Sequence, residues 1–261
     1  MNNFIERMIT IIFGSTLGIF MLTYNTYTMI LFFVIGVVFI YGELIYALHK
    51  GNKLNNKDLI LLTILVALFY VDRYTDNTVN ILYLIYLLLL LLLTISTKPL
   101  KIVIFLLAGI LWIFPSVYLC VKYATFDVRL FICLTGITWT TDGGAYIWGK
   151  LFGRTKLAPY ISPNKTIEGT FLGILSSVFI TYFISYYYTF ILYGDLLILS
   201  IIYGVFGQIG DLVESRFKRW VGIKDAGKLL PGMGGVNDRC DSIYLAIPIG
   251  HIYILLRGYS I

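Results

Sequence analysis

Between Gly210 and Ser242 the chain concentrates carboxylates, cations, hydroxyls and glycines in one polar segment. Asp211, Glu214, Ser215 and Lys218 stand three or four residues apart, the spacing that puts side chains on one face of a helix. Arg219 follows directly, and Lys224 and Asp225 come a few residues later. Asp238 and Asp241 are again three apart, with Arg239 between them, where an apolar run begins. In between, Pro231-Gly232-Met233-Gly234-Gly235 can form a tight turn that brings backbone N–H groups close to a ligand. Carboxylates in such a pattern suit Mg²⁺, which takes one or two of them together with substrate phosphates and water. Lysine and arginine suit phosphate oxygens, arginine as a bidentate fork. The alternative is a solvated loop whose charges pair with one another and with lipid headgroups. The ordered succession of acid, hydroxyl, base, glycine turn and acid weighs against it.

A second polar segment reads Ser162-Pro163-Asn164-Lys165-Thr166-Ile167-Glu168-Gly169. Ser162 or Thr166 can cap the helix that follows, with Glu168 in its first turn. A hydroxyl, a lysine and a helix N-terminus also make a phosphate site. Asp142 lies near the end of an apolar run, and an ionisable residue at membrane depth is costly enough to be a functional candidate. Gly144 to Lys150 begins like a phosphate-binding Gly-x4-Gly-Lys loop. Leu151 stands where a Mg²⁺-binding hydroxyl belongs, so that reading is rejected. Cys120, Cys133 and Cys240 lack metal-ligand spacing and read as free thiols; His49 and His251 have no ligand cluster beside them.

These residues must be positioned by elements that live in lipid. Of the 261 residues, 59% are hydrophobic and 13% charged, against roughly 25% charged in a soluble domain. The mean hydropathy of +0.85 agrees. Apolar runs predict helical spans at 5–24, 28–48, 59–74, 79–96, 102–123, 130–148, 170–193, 196–210 and 242–256, eight or nine in all because the third and eighth are short. Each must satisfy its own backbone in lipid, and no alternating barrel pattern is present, so the fold class is all-α and polytopic. The first run lacks a cleavage site and reads as a retained span. The chain forms one integral membrane domain over residues 1–261, with the motif-bearing half at about 130–261.

Nine spans put 16 of the 20 Lys and Arg residues on one side, which the positive-inside rule makes cytoplasmic. Ten of those 16 lie in the two inter-span stretches that hold the candidate segments, 150–168 and 211–241. The net charge of +6 is explained by headgroups, anionic substrates and topology rather than by nucleic acid.

With the residues set out, a resemblance follows. Asp211-Leu-Val-Glu-Ser-x-x-Lys-Arg, then Lys224-Asp225, then Leu230-Pro-Gly-x-Gly-Gly-x-x-Asp-Arg-x-Asp241 resembles the signature of phosphatidate cytidylyltransferases, the CDP-diacylglycerol synthases. Ser162-Pro-x-Lys-Thr-x-Glu-Gly169 and Asp142-x-x-Ala-Tyr-x-x-Gly149 are similar to that family too. The resemblance implies a polytopic helical homodimer that joins CTP to phosphatidate with Mg²⁺, releasing CDP-diacylglycerol and pyrophosphate. It implies Asp211 and Asp238 as metal-binding and catalytic aspartates, with Lys218 and Arg239 acting beside them. Ser162, Lys165, Thr166 and Ser215 are implied around nucleotide and phosphate. Asp142, Glu168, Arg219, Lys224, Asp225, Gly234, Gly235 and Asp241 complete the expected substrate-binding set. A second cation beside Mg²⁺ stays open. The expected location is a bacterial inner membrane, with the site facing the cytoplasm.

Two positions differ from the family pattern: Met233 replaces the usual histidine, and Asn164 replaces a second lysine. The nucleophile would be a phosphate oxygen that is mostly ionised near neutral pH, so no strong base is required. Rival readings are transfer to another lipid such as an isoprenoid phosphate or polyprenol, a transporter, and a catalytically impaired homologue.

Overall fold

The computed structural model describes residues 2–50, 113, 116–185, 191–227, 229–232 and 234–259. The expected spans at 59–74 and 79–96, most of that at 102–123, and Met233 lie outside the described residues. Helices α1 (Asn2–Tyr24) and α2 (Thr26–Lys50) form a hairpin. Asn25 makes the corner, its Oδ1 accepting from Thr28 N at 2.9 Å. Then come α3 (116–126) and α4 (Val128–Phe152), the latter capped by the Asp127 side chain, which accepts from Arg129 N. Strands β1 (Lys156–Ala158) and β2 (Ser162–Thr166) lead to α5 (Ile167–Ser185) and α6 (Tyr193–Val221). A 3-10 turn at Asn237–Arg239 precedes α7 (Asp241–Leu256).

Among the described residues, three helical stretches are long and apolar enough to cross a bilayer: Thr26–Leu44, Ile167–Ser185 and Tyr193–Val221. Helix α5 shows how lipid inverts the usual pattern. Its buried residues are Gly169, Gly173, Ser177, Thr181 and Ser185, a four-residue repeat of small side chains. Its large apolar side chains Phe171, Phe179 and Phe183 point outward. Lipid is as apolar as a leucine side chain, so helices gain by close backbone approach rather than by hiding hydrocarbon. The contact with α4 is close enough that a Cβ on Gly173 would stand 2.6 Å from Thr141 O and one on Gly169 2.6 Å from Ala145 O.

The sequence reading needs two corrections. Span 196–210 and the helical face expected at Asp211–Lys218 are one continuous helix: α6 runs unbroken from Tyr193 to Val221. The Glu214–Lys218 pair supports the extra turns, and Gly222 ends them at φ 84°, its N–H bonded to Lys218 O and Arg219 O. A helix of 29 residues is about 40 Å long, more than the ~30 Å of bilayer hydrocarbon. Its C-terminal turns therefore reach the interface. Second, the all-α reading omits the antiparallel hairpin, with Lys156 opposite Thr166 and Ala158 opposite Ser162. Its strands are too short and too poor in β-branched residues to declare themselves.

The core lies among α3, α4, α6 and α7, built on Tyr123, Leu130, Leu134, Leu199, Tyr203 and Ile247. At the N-terminal end of α6 the buried Asp195 takes Tyr253 OH and Tyr259 OH at 2.6 Å each and Arg257 Nε at 2.8 Å. That network ties the start of α6 to the end of α7.

Candidate active site

The end of β2, the middle of α4, the C-terminal half of α6, the 3-10 turn and the start of α7 meet in one polar region. The helical repeat of α6 presents Gln208, Asp211, Ser215 and Lys218 along one side. Lys165, at the end of β2, reaches this face: its Nζ lies 2.6 Å from Asp211 Oδ2 and 2.9 Å from Gln208 Oε1. Gln208 passes the link on, its Nε2 donating to Asp142 Oδ1 at 2.6 Å. The other oxygen of Asp142 accepts from Ser242 Oγ at 2.7 Å, and Ser242 N donates to Asp241 Oδ1 at 2.7 Å. Ser215 Oγ donates to Asp211 Oδ1 at 3.1 Å. Residues from β2, α4, α6 and α7 thus form one chain of contacts, with a cation held between oxygens at its centre.

One turn further along α6, Lys218 Nζ is shared by Glu214 Oε2 and Asp238 Oδ1, 2.8 Å from each. Asp238 also accepts from Gly235 N at 2.8 Å and from Ala226 N at 3.1 Å to both oxygens. Gly234 makes this geometry possible: it sits at φ 91°, and a Cβ there would lie 2.9 Å from Asp238 Oδ2. Asn237 Nδ2 donates to Glu214 Oε1 at 2.6 Å, and Tyr244 OH donates to Asn237 Oδ1 at 2.8 Å. Asp241, buried at the start of α7, is held toward the protonated form by burial and by the nearby Glu214 carboxyl.

Other expected site residues have different placements. Thr166 caps α5, its Oγ1 accepting from Gly169 N at 3.2 Å. Ser162 lies in β2, opposite Ala158, and does not cap α5. Glu168 faces the hairpin base, accepting from Arg154 N and Thr155 N at 3.1 Å. Arg219 Nη1 donates to Ile223 O at 3.2 Å. Lys224 and Asp225 are exposed on the bend after α6, and Arg239 is exposed on the 3-10 turn.

Sequence reasoning missed Gln208, Ser242, Asn237, Tyr244 and Glu43. A signal existed for two of them. Gln208 is the one amide side chain in the apolar run 196–210, and Glu43 is a carboxylate inside the run 28–48. Polar groups at that depth ask for partners. Cys240, beside the cluster, is not a nucleophile: burial and the neighbouring Asp241, Glu214 and Glu43 carboxylates push its thiol up to about 12.

The donor chemistry suits a hard divalent cation. The two clusters together set the carboxyls of Asp142, Asp211, Glu214, Asp238 and Asp241 around two ammonium groups, Lys165 and Lys218. Buried acid in excess of base calls for protons or a further cation. Among the described residues no group of three or more His, Cys, Asp or Glu side chains forms a ready-made metal cage.

Residues 5–257 match the model of the cytidylyltransferase family, and the chain belongs to that family. More narrowly, a stretch of 120 residues is 48% identical to a phosphatidate cytidylyltransferase of Staphylococcus haemolyticus (strain JCSC1435), covering 46% of each chain. A stretch of 120 residues is 49% identical to the protein of that name from Staphylococcus epidermidis (strain ATCC 12228), again covering 46% of each. For Staphylococcus aureus (strain COL) the figures are 48% over 124 residues and 46% of each chain. The chain spans about half the length of the curated relatives it matches.

Proposed function

We propose that this protein is a phosphatidate cytidylyltransferase, transferring the cytidylyl group of CTP to phosphatidate and releasing pyrophosphate. The observation that carries the reading is the position of the cluster. Carboxylates and lysines gather at the end of a helix longer than the apolar layer, where a lipid phosphate and a soluble nucleotide can meet. The named relatives supply the substrate class.

Asp211 and Asp238 are the carboxylates proposed to hold Mg²⁺. The Asp211 oxygen now facing Lys165 is the more available. Asp238 can turn toward an ion by giving up its longer contacts to Ala226 N. When bound, the ion supplies neutralisation of triphosphate charge. Everything else falls to the chain itself. Lys165 exchanges Asp211 for a substrate phosphate, one anionic partner for another, which frees the Asp211 carboxylate. Lys218, Arg219 and Arg239 hold two anionic substrates against their mutual repulsion. A phosphatidate oxygen attacks the α-phosphorus in line, the bond to the β-phosphoryl oxygen breaks, and pyrophosphate departs. Positioning and charge supply most of the rate, so a general base at position 233 is dispensable.

On the same footing we read about nine spans, a homodimer, a cytoplasm-facing site in a bacterial inner membrane, and no nucleic-acid partner. Purified protein in detergent with CTP, Mg²⁺ and phosphatidate should form CDP-diacylglycerol and pyrophosphate in equal amounts. No CDP-lipid from the native chain would overturn the reading, and transfer only to an isoprenoid acceptor would redirect it.

A further inference from the structure

Glu43 belongs to α2, far from the motif-bearing half, yet it is one of the most enclosed charges in the protein, 8% exposed. Its carboxylate spans the turn that carries Asp238. Val236 N donates to Oε1 at 3.0 Å and Asn237 N to Oε2 at 2.8 Å. Gly235 N, the preceding amide, goes to Asp238 Oδ2. Three successive backbone N–H groups are therefore held by two carboxylates, one local and one from another helix. Gly227 and Gly235 both lie against the Glu43 carboxyl, with no room there for a Cβ. Glu43 thus occupies a socket made by the two sides of the 226–238 loop.

What the socket fixes is the rest of the cluster. Asn237, held through its N–H, presents its side chain to Glu214 and Tyr244. Asp238 follows directly and meets Lys218. A shift of the turn moves both partners of α6 together. A carboxylate accepts two N–H bonds through two equivalent oxygens; an amide has one acceptor and turns its NH₂ against the second donor. We infer that Glu43 is a positioning residue of the active site, by which α2 sets the place of Asp238 and Lys218; this rests on the cytidylyltransferase reading above.

The test compares native protein with Glu43→Gln and Glu43→Asp in detergent, using two readouts. The first is deuterium uptake across 231–240, which needs no activity. Glu43→Gln should raise exchange there by about 10-fold, the loss of one charge-assisted hydrogen bond. The second is kinetics per folded molecule. Glu43→Gln should lower kcat by about 10- to 100-fold, because small misplacements of catalytic groups cost that much. It should also raise the Mg²⁺ midpoint while leaving the KM for phosphatidate within about twofold. Glu43→Asp, which keeps both acceptors on a shorter stem, should recover part of kcat. Native-like exchange in Glu43→Gln, or unchanged kcat and Mg²⁺ midpoint despite faster exchange, would overturn the inference. A native chain without CDP-lipid product would sink the function while leaving the exchange result to judge the socket.

Discussion

Helix α6 carries a buried polar network at each end, and the two are built on opposite principles. At the N-terminal end one carboxylate, Asp195, is saturated by two tyrosine hydroxyls and an arginine. Acid and base there balance one to one. At the C-terminal end several carboxyls share Lys165 and Lys218, and α4, α7 and α2 contribute acids that are short of cations. The first arrangement is a lock between α6 and α7. In the second, each lysine is divided between acceptors on different elements or turns, Lys165 between Asp211 and Gln208 and Lys218 between Glu214 and Asp238. Buried charge alone does not mark function; unequal charge does.

Asp211→Asn tests that contrast most severely. Removing the charge should cut CDP-lipid formation by about 10²- to 10³-fold, as for loss of a preorganised electrostatic group. Full activity would show that the C-terminal network is as structural as the N-terminal one. Gln208→Leu comes next. It keeps the volume but strands Lys165 and Asp142, each of which loses a partner 2.9 and 2.6 Å away. Two unmade bonds to charged groups predict a loss of about 10- to 100-fold in kcat. Gly234→Ala should cost less, about 1–2 kcal/mol for a left-handed alanine. The Cβ would also push Asp238 away from Gly235 N, so the rate should fall roughly 10-fold, read as kcat at saturating CTP.

How much of this was legible beforehand follows the range of the contacts. Asp211, Ser215 and Lys218 could be placed together because helical spacing is a local property, readable at three and four residues. Asp238 and Asp241, three apart, were expected on one helical face; Asp238 lies instead on the 3-10 turn and Asp241 alone begins α7. The link from Lys165 to Gln208 and from Glu43 to Asn237 could not be placed, since nothing near Glu43 in sequence says which distant amides will meet it. That the span and the polar helical face are one helix was missed because hydropathy reports the solvent a segment prefers, not whether its backbone goes on coiling. Gly222, the residue that stops it, was in plain view. The hairpin escaped because β2 is Ser162-Pro163-Asn164-Lys165-Thr166, residues that favour turns, held in register by its partner strand.

The opposite end of α6 completes the test. Asp195→Asn leaves an amide among donors that expect a carboxylate, at a residue 3% exposed. Stability in detergent should fall by about 1–3 kcal/mol, with kcat per folded molecule unchanged. A parallel loss of kcat would mean that the two ends communicate along the helix.

The smallest effect should come from Arg257→Gln. Its side chain is 50% exposed, whereas those of Lys218 and Asp238 are 10% and 8% exposed. Screened by solvent, the Arg257–Asp195 pair is expected to be worth about 0–1 kcal/mol. Tyr253 and Tyr259 still hold Asp195 when the arginine is gone. Thermal unfolding should therefore barely shift, and added salt should not widen the difference. The same substitution in kind at the other end, Lys218→Gln, removes the ammonium that Glu214 and Asp238 share, leaving neutral donors such as Asn237 Nδ2 and Gly235 N, and should abolish turnover. If the two variants proved equally harmless, acid would not be in excess at the C-terminal end, and the case for a cation site there would fall with it.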